Sequence, residues 1–286
     1  MNATAVHLFQ IAYSTESLAR VEPGYAVLDH LANERSDWYE FFPLRRFLQT
    51  QTQSPALDEA AYYGFFSPKF GSKTGLSHAA VVAAVQAAAA LPQPADVVLF
   101  SPQPDMGAFF LNVFEQGETF DAGFIAACEG WLQHAGLMDP QAQPLRTLVM
   151  DTRQVIFSNY FVARPAFWRE WQRWNETLFA LCESGPELLR APLVATTSYP
   201  GAAQRKVFVQ ERTASLLLTL QPQWRSHPVN PFRMAWSASR MAQHPHLAVM
   251  SDALKRAHRD LGYPCYLKAF AQLRQRFVAA GAGAAA

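Results

Sequence analysis

The stretch from Leu148 to Cys182 constrains the fold of this chain more than any other. It opens with an apolar run closed by Asp151, which predicts a buried strand near 147–151 with a carboxylate at its end. Residues 155–162 are rich in β-branched and aromatic side chains and predict a second strand. Pro165 suits the first turn of a helix, and apolar residues then recur at spacings of three and four. This succession is typical of an α/β domain.

Shorter segments elsewhere fit the same architecture. Further strands are predicted near 6–13 and 96–100, between stretches with helical periodicity. Ser14 follows the first of these strands, in a loop where α/β proteins commonly contact ligands. We therefore predict a single α/β domain, with a mixed, mostly parallel sheet flanked by helices.

The boundaries along the chain follow from the same patterns. We expect an α/β core over 1–236, a helical C-terminal region over 237–280 and a disordered tail over 281–286. Within the core, the pattern predicts a strand at 193–195, one continuous helix over 207–220 and a last strand at 233–236.

Composition excludes several classes of protein. Among the 286 residues, 24 are basic and 23 acidic, without a basic stripe, so we expect no nucleic-acid partner. Three widely spaced cysteines predict neither a disulfide framework nor a zinc knuckle. The N-terminus lacks a basic region before its short apolar run, and no segment is long enough to span a bilayer. We expect a cytoplasmic protein whose low charge leaves room for weak attachment to a membrane surface.

Two hypotheses for Asp105 stay open. It follows a short apolar strand through a proline-containing turn. In the first hypothesis it caps a helix over 106–115, as Asp121 is expected to cap the next helix. In the second it is a catalytic acid that shares a cleft with Asp151, because the carboxyl ends of neighbouring parallel strands lie at one edge of a sheet.

The segment from 60 to 77 combines aromatic residues with two lysines, Lys69 and Lys73. A GxxxxGK[ST] phosphate loop is excluded, because Ser72 stands where a glycine must precede the lysine. What remains is a pair of lysines ahead of a helix that starts at about Ser77. Such a segment binds a phosphate, or it is a flexible loop capped by Ser77, and both interpretations stay open.

Glu211 and Arg212 stand on a helix that is otherwise mostly apolar. Burying either charge requires a partner, and adjacent helical residues point about 100° apart, so they are not expected to pair with each other. In one hypothesis Arg212 binds a diphosphate and Glu211 an acceptor hydroxyl. In the other, Arg212 meets Asp151 or another carboxylate while Glu211 faces water.

Several segments resemble glycosyltransferases of bacterial capsule and O-antigen clusters. They are YYGFFSPKFGSKTGLS, DVVLFSPQPDMGAFFLNVFEQGE, and the pair FSNYFVARPAFWREW with VFVQERTASLLL. The last pair is similar to GT-A enzymes, in which an aromatic acceptor segment precedes a helix with a Glu-Arg pair. The resemblance covers about half of the chain.

The resemblance implies a GT-A-like core that binds a nucleotide sugar and transfers its sugar to a glycan or lipid-linked acceptor in surface polysaccharide synthesis. It implies a catalytic base, with Asp105, Asp151 and Glu211 as candidates. It also implies residues that bind the diphosphate and the sugars: Ser14, Lys69, Lys73, Asn159, Tyr160, Trp168 and Arg212.

The chain departs from the GT-A pattern in one respect. It contains no Asp-x-Asp, the usual metal and diphosphate ligand of that class, so the sequence leaves open whether a divalent metal takes part. The alternative hypothesis is a non-catalytic α/β protein that binds carbohydrate or a partner. A different nucleotide-dependent enzyme is disfavoured, because the chain has neither a phosphate loop nor GxGxxG.

Overall fold

A mixed sheet lies at the centre of the molecule. The computed structural model describes residues 4–51, 57–139, 141–199 and 201–282, with side chains as far as residue 275. Within them the strands are β1 (Val6–Ala12), β2 (Ala26–Asp29), β3 (Tyr62–Phe66), β4 (Val97–Leu99), β5 (Phe161–Ala163) and β6 (Ser226–Pro228). Their order is β2-β1-β3-β5-β4-β6, and β5 runs antiparallel to its neighbours while the others are parallel. The predicted mixed, mostly parallel sheet is confirmed.

Helices cover both faces of this sheet. They are α1 (Thr15–Ala19), α2 (Phe41–Gln51), α3 (Phe70–Thr74), α4 (His78–Ala89), α5 (Pro104–Ala108), α6 (Val113–Phe120), α7 (Phe124–His134), α8 (Pro165–Ser184), α9 (Glu187–Val194), α10 (Arg205–Glu211), α11 (Thr213–Leu220), α12 (Pro245–Leu261) and α13 (Pro264–Ala282). Strand residues alternate between the two faces: Val97 and Leu99 pack with the aromatic stripe of α8, whereas Val98 packs with α4. The sheet is therefore buried on both sides, as a parallel sheet requires.

The segment before α8 is less regular than predicted. No strand forms over 147–151, because the backbone there makes hydrogen bonds outside the sheet. The Met150 N–H donates to the Leu111 carbonyl, and the Val149 carbonyl accepts from the Arg259 side chain. The strand predicted over 155–162 shrinks to β5. Hydroxyl groups of distant serines accept the N–H groups of Ile156 and Phe157, which removes them from a strand ladder.

Three further element predictions were wrong. Residues 193–194 are the last two residues of helix α9 and form no strand. The segment 233–236 begins with the last residue of a 3₁₀ turn, Pro231–Arg233, and the last strand, β6, lies earlier, at Ser226–Pro228. The helix predicted over 207–220 is divided at Arg212 into α10 and α11.

The two aspartates expected to cap helices do not do so. Asp105 lies inside α5, and Asn112 caps the next helix, α6, by accepting from two backbone N–H groups. Gly123 stands at the N-cap of α7, while Asp121 binds the guanidinium of Arg205 through both oxygens.

Helices α12 and α13 form a C-terminal hairpin that packs against α5. The buried Lys255 ammonium donates to the carbonyls of Gly107 and Phe110, and Asp252 accepts from both the N–H and the hydroxyl of Thr152. The tail predicted to be disordered begins inside α13, which includes residues 281 and 282; residues 283–286 lie outside the described part. Within the described residues, no helix combines the length and the apolar character that crossing a bilayer needs.

Candidate functional site

A cleft of about 570 Å³ opens at the edge of the sheet where β3 and β4 end. Residues that follow these two strands line it, among them Lys73 and Gln103. Because β5 is antiparallel, the turn that precedes it, with Ser158, lies at the same edge and also lines the cleft. Glu211, at the end of α10, completes this side. The cleft therefore lies where open α/β sheets bind their ligands.

Lys73 and Glu211 line the charged part of the cleft, and a second carboxylate and lysine, Glu40 and Lys69, lie near them. Glu211 is 23% exposed through its side chain, and Glu40 is half-buried just before α2. The positive charges of Lys69 and Lys73 both favour the ionised form of Glu40, and that of Lys73 also favours the ionised form of Glu211. Lys73 Nζ donates to Ser158 Oγ at 3.1 Å. We call Glu40, Lys69, Lys73 and Glu211 the charged cluster.

The environment raises the pKa of both carboxylates in the charged cluster. Burial is the largest cause for Glu40, and the negative charge of Glu211 adds to it, so that its pKa rises to about 7 despite the opposing effect of Lys73. Burial also raises the pKa of Glu211, against the charges of Arg212 and Lys73 and a hydrogen bond to the Ser158 backbone. A carboxyl group with a pKa near 7 exchanges protons readily at neutral pH, as general acid–base catalysis requires.

A hydrogen-bonded pair links the charged cluster to the sheet. Ser67, directly after β3, bonds to the Glu40 carboxylate, and its hydroxyl lies 2.5 Å from the hydroxyl of Tyr160. Burial and then the charge of Glu40 raise the pKa of Tyr160, so this phenol stays protonated. The Ser67–Tyr160 pair orients the Glu40 carboxylate through the hydrogen bond from Ser67.

Backbone in the left-handed region flanks both carboxylates. Tyr39, next to Glu40, has φ 48° and ψ −130°. Ser158 and Asn159, beside Glu211, have φ 58° and 53°. Such values are uncommon for residues with a side chain, and they concentrate at functional sites.

Another part of the cleft lining is aromatic. Phe120, Tyr199 and Phe208 line it, and we call them the aromatic wall. Phe120 is 54% and Tyr199 58% exposed, and the rings of Tyr199 and Phe208 meet edge to face at 5.2 Å. Sequence reasoning gave these residues no role.

Two of the predicted catalytic carboxylates have structural partners instead. Asp105 is fully buried, and its carboxylate accepts from the N–H and hydroxyl of Ser237 and from the hydroxyl of Ser239. It thereby holds the segment that supplies Ser237 and Ser239 to the cleft wall.

Asp151 is also fully buried and lies outside the cleft lining. Arg153 binds both of its oxygens, and Arg259 Nε lies 3.5 Å away. Burial opposes its ionisation, but the hydrogen bonds and charge of Arg153 outweigh it and lower the pKa of Asp151. It is therefore an anion whose oxygens are bound by arginine side chains. The predicted strand that would have carried it to the sheet edge does not form.

Arg212 does not pair with Asp151, whose carboxylate Arg153 and Arg259 contact instead. The Arg212 guanidinium donates to the Val113 and Phe208 carbonyls and to Gln116 Oε1. The break between α10 and α11 also brings Arg212 Nη1 within 3.8 Å of Glu211 Oε2, so the expectation that these neighbours do not pair was wrong. With its donors engaged, Arg212 positions Glu211.

The remaining predicted binding residues divide between the core and the site. Trp168 is fully buried, stacks on Phe161 and donates to the Tyr63 carbonyl, so neither ring face is open to a sugar. The Tyr160 ring is equally buried; its hydroxyl bonds to Ser67, and the Lys73 ammonium lies 5.5 Å from the ring centroid.

Asn159 bonds to Gln210 beneath the charged cluster and is buried. Ser14 caps α1 in a capping box with Ser17, at the carboxyl end of β1. Lys73 belongs to the short helix α3 and Lys69 to its N-cap position, so the predicted lysine loop is a helical turn.

Glu40 is the residue that the sequence did not single out. It stands in the run Trp38-Tyr39-Glu40-Phe41-Phe42, where one acid among aromatic residues was the available signal. The side chains of Trp38 and Phe41 are fully buried on either side of Glu40, whereas Tyr39 is 47% exposed. A charge within a buried aromatic run requires a partner or a function.

Among the described residues, no group of three or more His, Cys, Asp or Glu side chains is arranged to hold a metal ion. Comparison with family models, with curated proteins and with solved structures gave no match to this chain.

Proposed function

We propose that this chain is a glycosyltransferase that moves a sugar from a nucleotide sugar to a glycan or lipid-linked acceptor. The observation that carries the proposal is the charged cluster: Lys73 and Glu211 line the cleft, Glu40 and Lys69 lie near them, and the pKa of both carboxylates is raised. The mixed sheet with its cleft at the strand ends agrees with the GT-A resemblance. Surface polysaccharide synthesis is the process that this resemblance suggests, with the reaction in the cytoplasm, at the inner membrane when the acceptor is lipid-linked.

In the proposed reaction, Glu211 is the general base. Its carboxylate takes the proton of an acceptor hydroxyl, and the acceptor oxygen forms a bond to the anomeric carbon of the donor sugar. The bond from that carbon to the diphosphate oxygen breaks, and the electron pair leaves with the nucleoside diphosphate. Lys69 and Lys73 stabilise the negative charge that develops on this leaving group. No step requires a metal ligand from the chain.

Glu40 serves as the second carboxylate of the site. Its proton responds to the charge around it, because Glu211 raises its pKa and the lysines lower it. When a diphosphate binds the lysines, the added negative charge favours protonation of Glu40. Arg212, 3.8 Å from Glu211, favours the ionised form of that carboxylate, which acts as the base.

Binding of nucleoside diphosphates tests the donor half of the proposal. Wild type, Lys73→Ala and the control Lys268→Ala, which removes an exposed lysine on α13, are screened by thermal shift against UDP, GDP, CDP and dTDP. We expect one of these to raise the melting temperature of wild type and of Lys268→Ala, and to do so much less for Lys73→Ala. A response equal in all three proteins removes Lys73 from the site.

Transfer tests the catalytic half. Glu211→Gln keeps the size of the side chain while removing its charge, and Glu187→Gln is the control because its side chain is 71% exposed. We expect Glu211→Gln to lower kcat by ~100-fold or more with an unchanged melting temperature. A protein that binds free glycans without any nucleoside diphosphate is instead the non-catalytic carbohydrate-binding protein considered from the sequence.

A further inference from the structure

We infer that the aromatic wall is the acceptor subsite and that it takes an uncharged pyranose ring. This inference rests on the proposed function and deepens it, because it names the chemical class of the acceptor. Three features of the cleft carry it: exposed aromatic rings, neighbouring charged groups that already have partners, and uncharged polar groups in the same lining.

The first feature is the exposure of the rings. Phe120 and Tyr199 keep more than half of their surface open although both line the cleft. Phe208 holds Tyr199 through the edge-to-face contact, which leaves the Tyr199 ring accessible. Flat, fixed aromatic surface suits the apolar face of a sugar ring, which carries C–H groups and no charge.

The second feature is that the charges beside the aromatic wall are already paired. Both oxygens of Asp121 bind Arg205, at 2.6 and 2.7 Å. The guanidinium of Arg212 is engaged by two carbonyls and by Gln116. An acidic sugar would find no uncommitted cation here among the described residues, since Lys69 and Lys73 belong to the charged cluster.

The third feature is the set of uncharged polar groups that share the cleft lining with the rings. Gln116 accepts from Arg212 through Oε1, so its amide N–H groups remain as donors within the cleft lining. Ser198 is exposed in the same lining. Together they offer hydrogen bonds to sugar hydroxyls without adding charge.

The arrangement also gives the acceptor a direction. Arg212 donates both to the Phe208 carbonyl and to Gln116, and it lies 3.8 Å from the Glu211 carboxylate. The aromatic wall and the proposed base are thus joined through one guanidinium. A ring stacked on the wall places a hydroxyl toward Glu211, while the diphosphate occupies the lysine side.

Direct binding of simple glycosides tests this inference independently of activity. Methyl glycosides of glucose, galactose, mannose and N-acetylglucosamine, and methyl glucuronide, are titrated by saturation-transfer NMR. The proteins are wild type, Tyr199→Ala, Tyr199→Phe and Phe120→Ala, with Tyr263→Ala as the matched control because Tyr263 on the hairpin is also 58% exposed. UDP, GDP, CDP and dTDP are titrated in parallel.

We expect at least one neutral glycoside to bind wild type more tightly than the glucuronide. Tyr199→Ala and Phe120→Ala should weaken it by ~3–10-fold, whereas Tyr199→Phe and Tyr263→Ala retain it and nucleoside diphosphate binding stays unchanged. The inference is overturned if no neutral glycoside binds, if both alanine variants bind as wild type does, or if the glucuronide binds equally well. Glycoside binding that depends on Tyr199 without any nucleoside diphosphate binding supports the subsite and overturns the proposed function.

Discussion

At the scale of single residues, Glu40 places a cost on the folded state that depends on pH. Its pKa rises from 4.5 to about 7 on folding, mainly because the side chain is desolvated. A carboxyl group with a higher pKa in the folded protein binds its proton more tightly there. Ionisation therefore destabilises the folded state progressively between pH 4.5 and 7, with the full cost present above pH 7.

Glu40→Gln should remove this cost. The shift corresponds to about 3 kcal/mol, and screening of the half-buried group reduces it to ~1–2 kcal/mol. We expect urea unfolding to show Glu40→Gln more stable than wild type at pH 8 and equal to it near pH 4. The same difference between Glu40→Gln and wild type at pH 4 and at pH 8 would show that the raised pKa of Glu40 is wrong.

Asp105 illustrates the opposite case, a buried carboxylate whose partners are satisfied. Asp105→Ala leaves the N–H and hydroxyl of Ser237 and the hydroxyl of Ser239 without their acceptor. We expect a loss of ~2–4 kcal/mol in the free energy of unfolding, measured by urea denaturation. The control is Asp139→Ala at an exposed position, which should stay within ~0.5 kcal/mol. If Asp105→Ala leaves the stability unchanged but abolishes sugar transfer, Asp105 has the catalytic role considered from the sequence.

Some residues of the candidate site were predictable from the sequence. Glu211 and Lys73 were predictable because a charge on an apolar helix and a pair of lysines ahead of a helix are local signals. Glu40, Phe120 and Tyr199 were not, because each reaches the cleft through contacts between distant parts of the chain. Trp168 was misassigned for the same reason: its spacing on α8 does not show that Phe161 and Tyr63 enclose it.

At the scale of secondary structure elements, β3 depends on a glycine in the middle of the sheet. A Cβ atom on Gly64 would lie 2.7 Å from Val162 Cγ2 and 3.0 Å from Leu8 Cδ2, and both of these side chains are buried. Neither neighbour has free space to move, so the close approach of β1, β3 and β5 requires glycine here.

Gly64→Ala should therefore destabilise the protein by ~1–3 kcal/mol through overpacking. Gly130→Ala, in α7, is the matched control, because its Cβ would meet Leu189 at an ordinary 3.4 Å. That change should be neutral or stabilising by up to ~1 kcal/mol. Chemical denaturation of the two variants makes the comparison; equal effects would contradict the tight packing of β3.

The interruption between α10 and α11 shows what limits prediction of elements. The apolar periodicity continues across Arg212, so the sequence predicts one helix. At the break, the Arg212 side chain donates to the Phe208 carbonyl within α10 and to the Val113 carbonyl, and the second contact exists only after α6 has packed alongside. Tertiary hydrogen bonds decide the boundary, and local pattern cannot show them.

At the scale of the whole molecule, the α/β architecture was predictable because alternating buried strands and amphipathic helices are encoded locally. The place of the C-terminal hairpin was not. It is attached through the buried Lys255, through Asp252 and through Arg259, which donates to the Val149 carbonyl. These contacts join the hairpin to α5 and to the segment before β5.

We therefore expect the hairpin and the sheet to unfold together. Hydrogen exchange followed by mass spectrometry should show α12 amides as well protected as those of β3 and β5. Lys255→Ala should selectively raise exchange in α12, because it removes both donors to the Gly107 and Phe110 carbonyls. The exposed Lys268→Ala should not. Fast exchange of α12 in wild type would show that residues 237–280 are an independent unit.

The left-handed backbone around the charged cluster has a consequence for the rate of association. Each such residue costs about 1–2 kcal/mol, and here contacts already hold the conformation: Lys73 bonds to Ser158, and Gln210 to Asn159. A ligand thus meets side chains in place and orders no loop on arrival. Stopped-flow mixing with the nucleoside diphosphate that binds should show one exponential phase whose rate rises linearly with concentration and falls as salt is added.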